Sequence, residues 1–426
     1  MANSKFGPAV LMGGGLLVLG AAGYLFVAIA GHTLPAVDAT AVSGVYFLIN
    51  IIGPGLFTAL EQETSRATSS TIAAGRPLRH VVRNAALLAV GLLAVALVVL
   101  GALSPVLVDV ELSGHWPLMW AVLLSAVTAA AIYLVRGLLG GMQRFSGYAA
   151  TLAGEGAARL LPCVVVAVAG LAAAGTYGLI FAGGSVIGAL LGLPWTRKMP
   201  HGEAEGGERL GTMVRGLLLL VGAILLTQLV ANLLPLVVTA KLGTASAVAQ
   251  AFSSAFLLVR VPLFLFAPVQ AMLLPALTAA ATRGEFDVVR SRVRLVLMAV
   301  LAVGVPGAIL SWLVGPWAAQ VFFGAKAALP GAVVGLLGVS TILLMTVQAL
   351  QPALVALGRH HAVTVSWAAG TAVLVGLLFV PGDTLTVAVT AQLVGPAVVV
   401  AGVLFALLRA LRSSSAKTPV PAPVAS

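Results

Sequence analysis

The chain has 426 residues, of which 60% are hydrophobic and only 8% are charged, and its mean hydropathy is +1.11. Soluble domains are about half apolar and a quarter charged, so this composition excludes a soluble globular protein. The net charge of +11 does not indicate nucleic-acid binding, because the lysines and arginines stand singly between apolar runs. The single cysteine, Cys163, lies inside such a run, which excludes a disulfide framework and a cysteine metal site.

Apolar runs long enough to cross a membrane recur along the whole chain. A run of more than about 18 apolar residues is typical of a transmembrane helix, and the continuous rather than alternating pattern excludes a β-barrel. We therefore predict an all-α integral membrane protein of about twelve helices. Division at charged, polar and Pro/Gly segments places the spans at residues 7–30, 37–62, 84–108, 116–138, 147–170, 176–196, 213–239, 247–281, 295–314, 327–357, 362–380 and 385–408.

The basic residues are distributed unequally between the two sets of alternating loops. One set holds 19 lysines and arginines, from Lys5 through Arg136 and Arg359 to Lys417, whereas the other set holds only Lys241 and Lys326. Lysine and arginine near span ends mark the cytoplasmic side. The bias predicts cytoplasmic N- and C-termini.

The longest polar interruption divides the spans six and six. It is rich in glycine and mixed charges and predicts an inter-lobe linker at residues 197–212. The N-terminal lobe is then 1–196 and the C-terminal lobe 213–408. Residues 409–426 are rich in Ser, Pro and Ala, and we expect a disordered cytoplasmic tail there.

Three charged residues fall at membrane depth, where an ion costs several kcal/mol unless it is paired or faces water. Glu155 and Arg159 in span 5 are four residues apart, so they share a helix face and can pair. Arg260 in span 8 has no acidic neighbour in sequence and precedes Pro262, Pro268 and Pro275, which predict a kinked or locally open helix. A helix-locking pair and a structural ion partner explain these residues without a ligand.

A second charged group ends span 2, where Glu61, Glu63 and Arg66 follow Pro54-Gly55. Glu61 and Arg66 are candidates for an ion pair across the helix end, although solvation of that end explains them equally. If spans 2, 5 and 8 border one cavity, its arginines suit an anionic ligand, because guanidinium binds phosphate in a bidentate manner. The candidate substrate-binding residues are Arg260, Arg159, Glu155, Glu61 and Arg66.

Three segments carry a family resemblance: GPGLFTALEQETSRATSS, RGLLGGMQRFSGYAATLAGEGAARLLPC and VRVPLFLFAPVQAMLLPALTAAATRGEF. In order and placement they resemble the multidrug/oligosaccharidyl-lipid/polysaccharide (MOP) exporter superfamily, particularly its polysaccharide, O-antigen flippase (Wzx-type) branch. The resemblance implies two six-helix lobes in a MATE-like V and alternating access that moves a lipid-linked saccharide outward. It also implies that Arg159 and Arg260 engage a pyrophosphate, and that a polymerase and glycosyltransferases are partners. A protein of this kind is expected in the bacterial cytoplasmic membrane.

Three alternatives stay open at this stage. A major facilitator transporter also has twelve spans, but the loop RATSSTIAAGRPLRH lacks the aspartate typical of that class. A MATE-type drug/cation antiporter usually relies on acidic cavity residues, whereas here arginines outnumber them at depth. A lipid-sugar transferase would present catalytic groups in a large outer loop, and none is present. We expect a transporter without a cofactor or metal; coupling to H⁺ or Na⁺ stays undetermined.

Overall fold

The computed structural model describes residues 7–197, 208–263 and 280–415, together with the single residues 266, 273 and 277. The regular elements in these ranges are helices. They are α1 (Gly7–Thr33), α2 (Ala36–Ile52), the π-helical turn π1 (Gly53–Phe57), α3 (Thr58–Ala73), α4 (Arg79–Val110), α5 (Trp116–Gly141), α6 (Phe145–Val168), α7 (Ala174–Thr196), α8 (Leu210–Leu242), α9 (Ala247–Leu258), α10 (Phe286–Phe323), α11 (Gly331–Ala356), α12 (His360–Leu377) and α13 (Thr384–Ser415).

Ten helical stretches of the described chain are long and apolar enough to cross a membrane, with α2, π1 and α3 forming one of them. Two shorter apolar helices, Ala247–Leu263 and His361–Leu377, fall where the eighth and eleventh spans are predicted. Large apolar side chains such as Val98, Val168 and Leu313 are 72%, 84% and 71% exposed, as lipid-facing residues are. The predicted all-helical, multi-pass membrane fold is confirmed.

Several predicted boundaries need correction. Helix α10 runs from Phe286 to Phe323, well beyond the predicted 295–314 at both ends. Helix α3 continues to Ala73, well past residue 62, and α13 continues to Ser415, so residues 409–415 are helical rather than disordered. The extension of α13 is stabilised by packing, because Leu407, Ala410 and Leu411 are buried. Residues 198–207 of the predicted linker and 416–426 of the predicted tail lie outside the described residues.

The predicted irregularity in span 8 occurs at Arg260. Helix α9 ends at Leu258, and Val259 and Arg260 form a turn before Pro262. A proline removes one backbone donor, so a helix cannot continue here without a break in its hydrogen bonds. The N–H of Arg260 donates instead to the Leu257 carbonyl at 3.0 Å. Pro268 and Pro275 lie outside the described residues.

The helices pack in two groups that meet along α8. In the first half α1 packs on α6, α6 on α7, and α5 on both α3 and α7; in the second half α10 packs on α11, and α13 on both α11 and α12. Helix α8 contacts α2 and α3 on one side and α12 and α13 on the other. This arrangement is compatible with two lobes, whose boundaries stay a prediction.

The two groups also touch directly where α1 and α10 end, and we call this contact the α1–α10 seal. It consists of Gly31 and His32 against Val321, Phe323 and Gly324. The Nε2 atom of His32 lies 3.1 Å from the Val321 carbonyl oxygen. A Cβ atom at Gly31 would lie 2.0 Å from the Phe323 carbonyl oxygen, so the two backbones approach as closely as glycine permits. By the charge bias, this is the end opposite the basic loops.

Candidate substrate cavity

A cavity of about 210 Å³ lies inside the first group of helices. It is bordered by α1, α2, π1, α5, α6 and α7. Its polar lining residues are Tyr46, Asn50, Ser125, Tyr133, Arg136, Glu155, Arg159 and Ser185, and Leu16, Leu17, Leu19, Ile49 and Phe181 form much of its apolar wall. This volume holds a phosphate or diphosphate group but is below the roughly 300–1,000 Å³ of ordinary ligand pockets. A larger substrate therefore requires the helices to separate.

The cavity is organised around the carboxylate of Glu155. Its Oε1 lies 2.6 Å from Arg159 Nη2 and its Oε2 lies 2.6 Å from Arg136 Nη2. The hydroxyl of Ser185 on α7 also donates to Glu155, and Arg136 Nε donates to Thr151 at 3.0 Å. The predicted Glu155–Arg159 pair is therefore present, and a second arginine completes an Arg–Glu–Arg triad.

Small residues on α7 allow this triad to form. A Cβ atom at Gly188 would lie 3.0 Å from the Glu155 Cβ, and one at Gly184 would lie 2.4 Å from the Arg159 Cγ. Small residues let transmembrane helices approach closely. Because α7 comes this near to α6, Ser185 reaches the carboxylate and the Phe181 ring lies 4.2 Å from the Arg159 guanidinium carbon.

Arg260 lies outside this cavity lining but near its wall. Its guanidinium carbon is 4.0 Å from the centre of the Phe256 ring, and the side chain lies within electrostatic range of Tyr24 and Tyr46, the latter a lining residue. Only 7% of Arg260 is exposed. Its Nε and Nη2 atoms have no hydrogen-bond partner among the described residues. Buried donors without acceptors are rare and costly, so Arg260 presents unused hydrogen-bonding capacity.

The turn π1 forms part of the cavity wall, through Gly53 and Pro54. Proline has no N–H to donate, and a π-helical turn accommodates the interrupted ladder. Such turns are frequent at functional sites. Just before it, the side chain of Asn50 donates to the Tyr46 carbonyl at 2.8 Å, which holds both residues at the cavity.

The predicted Glu61–Arg66 pair is wrong. Arg66 Nη2 instead contacts Glu63 Oε1 at 2.6 Å and Glu208 Oε1 at 2.9 Å, whereas Glu61 accepts a hydrogen bond from Tyr148. Residues three apart on a helix face the same side, but residues five apart diverge. Glu61 and Arg66 both lie outside the cavity lining, and Arg66 ties α3 to the segment before α8.

Arg136 is the main residue that the sequence analysis misplaced. The charge pattern predicts a cytoplasmic loop position for it, yet Arg136 lies in α5, is 3% exposed and pairs with Glu155 of α6. The available signal was the small and apolar segment Gly137–Gly141, which extends the helix beyond the arginine. The expected cavity bordered by spans 2, 5 and 8 thus becomes one bordered by spans 1, 2, 4, 5 and 6, and Arg260 of span 8 is not among its lining residues.

No group of three or more His, Cys, Asp or Glu side chains in the described part of the chain is placed to hold a metal ion. The charged groups of the cavity lining are one glutamate and two arginines, and its other polar groups are hydroxyl and amide side chains. The arrangement provides ion pairing and hydrogen-bond donation. It therefore suits the binding of an anion.

Solved transporter structures superpose on nearly the whole chain. An inward-facing multidrug resistance MATE family transporter matches with a TM-score of 0.71 at 14% identity, over 96% of this chain and 100% of that chain. This is the fold of the MOP superfamily. A variant of VcmN, a MATE transporter of Vibrio cholerae, shares the MOP fold with a TM-score of 0.67 at 18% identity, over 96% of each chain.

A third MOP-fold structure comes from Pyrococcus furiosus and is described as a MOP superfamily transporter whose binding pocket has reverse polarity, suggesting a different function. It matches with a TM-score of 0.64 at 14% identity, over 96% of each chain. No family model and no curated protein matches the sequence. The helices of this chain thus have the MOP arrangement, at an identity too low to transfer a substrate.

Proposed function

We propose that this protein is an alternating-access exporter of the MOP superfamily that moves an anionic, lipid-linked saccharide across the bacterial cytoplasmic membrane. In this proposal Arg159 and Arg260 engage the phosphate groups of the carrier. The MOP-like fold supports this superfamily over a major facilitator transporter. A polysaccharide polymerase and glycosyltransferases are the partners that such a substrate implies.

The observation that carries the proposal is the excess of arginine around the cavity. Its one lining carboxylate, Glu155, is already shared by Arg136 and Arg159. Arg159 Nε and two nitrogens of Arg260 still have no partner among the described residues. Charge-assisted bonds to phosphate would satisfy these donors, since guanidinium binds phosphate oxygens strongly.

The size of the cavity indicates how a large substrate is accommodated. At about 210 Å³ it fits the phosphate portion of a carrier and excludes a saccharide. The α1–α10 seal holds the two groups of helices together at one end. We propose that the saccharide enters when the groups separate at the other end, and that the seal opens for its release.

A transport assay tests the arginines. We expect Arg159→Ala and Arg260→Ala each to abolish complementation of a flippase-deficient strain while the protein stays inserted. Arg76→Ala, an exposed residue of the loop between α3 and α4, is the matched control and should complement. Normal complementation by both arginine variants would refute the assignment.

A binding assay on purified protein separates this function from a second candidate, a MATE-type drug/cation antiporter, which the MATE structural neighbours favour. Loss of a hydrogen bond to a charged group costs about 1.5–3 kcal/mol, so each arginine variant should bind a polyprenyl pyrophosphate roughly 10- to 150-fold more weakly. An antiporter would instead bind a lipophilic cation and would not bind the pyrophosphate. Its Glu155→Gln variant would lose cation binding.

Energy coupling is tested at the same carboxylate. We propose that Glu155 positions Arg159, because three donors surround it. Transport by Glu155→Gln should then keep whatever dependence on a pH gradient the unmodified protein shows. If the variant loses that dependence alone, Glu155 carries a coupling proton.

A further inference from the structure

A second cavity lies on the outer surface of the helical bundle, between α12 and α13. Its volume is about 670 Å³, and we call it the α12–α13 groove. Arg359 stands at the start of α12 and Arg409 near the end of α13, so both arginines line the same end of the groove. By the charge bias of the loops, this end faces the cytoplasm.

The two arginines have no counter-ion among the described residues. Both are exposed, and neither side chain forms an ion pair or hydrogen bond with a described residue. After Asp287 the sequence contains a single acidic side chain, Asp383. Asp383 accepts a hydrogen bond from the Thr386 N–H at 2.9 Å, at the opposite end of α13. The positive charge of the groove is therefore available to bind an external anion.

The groove walls below the arginines are apolar. Val365 of α12 is 54% exposed and Phe405 of α13 is 68% exposed. The floor is closed because the two helices touch at Ser366 and Gly402, where an added Cβ would lie 2.6 Å from the Ser366 hydroxyl oxygen. A polar head with an apolar body thus fits this groove better than a free anion does.

We infer that the α12–α13 groove binds an anionic phospholipid, with its phosphate between Arg359 and Arg409 and an acyl chain along Val365 and Phe405. Basic pockets between transmembrane helices on the cytoplasmic side bind anionic lipid head groups. A zwitterionic lipid fits less well, because its ammonium group adds positive charge beside two arginines. The inference is independent of the transported substrate, since these residues lie outside the substrate cavity.

Lipid titration of the purified full-length protein in neutral detergent tests this site. Phosphatidylglycerol and phosphatidylcholine of matched chains are added separately, and binding is followed by native mass spectrometry. One basic residue near an anionic lipid changes the affinity about fivefold, so we expect roughly 25-fold weaker phosphatidylglycerol binding in Arg359→Gln/Arg409→Gln. Arg359→Lys/Arg409→Lys should keep most of the affinity, and the matched control Arg76→Gln should keep all of it.

Two further measurements distinguish binding of a whole lipid from binding of a phosphate group alone. Phe405→Ser should weaken phosphatidylglycerol binding while leaving the preference over phosphatidylcholine intact, because it removes the acyl contact alone. Inorganic phosphate should fail to compete at concentrations that match the lipid. Equal binding of the two lipids, unchanged affinity in the double glutamine variant, or full competition by phosphate would each overturn the inference.

Discussion

The α1–α10 seal allows the sharpest test of how this fold moves. In Gly31→Ala, the new methyl carbon would lie 2.0 Å from the Phe323 carbonyl oxygen and 3.0 Å from the carbonyl carbon. Carbon–oxygen contacts are ordinarily no closer than about 3.3 Å, so the backbones must separate by roughly 1.3 Å. Both partners are backbone atoms, which cannot swing away as a flexible side chain would.

The size of the effect follows from that overlap. Overpacking at a close contact costs about 1–3 kcal/mol, and the cost falls only on conformations in which the seal is closed. The population with an open seal should therefore rise about 5- to 150-fold relative to the closed one. We expect Gly31→Ala to shift the protein away from the conformation described above.

Distances between two spin labels measure the shift. The only cysteine, Cys163, is buried, so Cys163→Ala gives a background for labels at Leu171→Cys and Ala328→Cys, two exposed positions at the sealed end. Gly31→Ala should lengthen the distance between the labels.

The matched control is Gly183→Ala, where an added Cβ meets no atom within 4 Å. It makes the same gain in helix propensity without the clash. Identical distance distributions for Gly31→Ala and Gly183→Ala would refute the reasoning.

Two further predictions concern stability. Glu155→Ala should lower the free energy of unfolding by about 3–5 kcal/mol, because it leaves two buried guanidinium groups without a counter-ion. Arg290→Ala breaks the pair with Asp287, in which both side chains are exposed, and should lower it by less than about 1 kcal/mol. Denaturant titration in detergent measures both, and equal losses would contradict the burial argument. Burial between α4 and α5 raises the pKa of Glu111 from 4.5 to about 8, so the folded protein holds this proton more tightly than the unfolded chain. The free energy of unfolding should therefore fall as the pH rises from about 4.5 to about 8. The melting temperature of Glu111→Gln should not show this decline with pH. An equal decline in the variant would contradict the assignment to Glu111.

Much of the fold can be predicted from local sequence patterns, namely hydropathy, residue spacing and the positions of proline. Hydropathy located the membrane helices, because each span satisfies its own backbone hydrogen bonds and needs only an apolar run. The Glu155–Arg159 pair was equally predictable, since residues four apart share a helix face. The break at Arg260 followed from Pro262. Each of these features depends on residues close together in the chain.

Contacts between helices that are far apart in the chain cannot be read from local patterns, and the sequence by itself did not predict them. Arg136 reaches Glu155 from another helix, Tyr148 rather than Arg66 meets Glu61, and Gly31 meets Gly324 from the other half of the chain. An apolar helix has many faces that could pack, and spacing along one helix does not say which face meets which partner. The sequence therefore determined the membrane helices and the Glu155–Arg159 pair within one of them. Tertiary packing decided which charges meet, which cavity they line and where the two halves close.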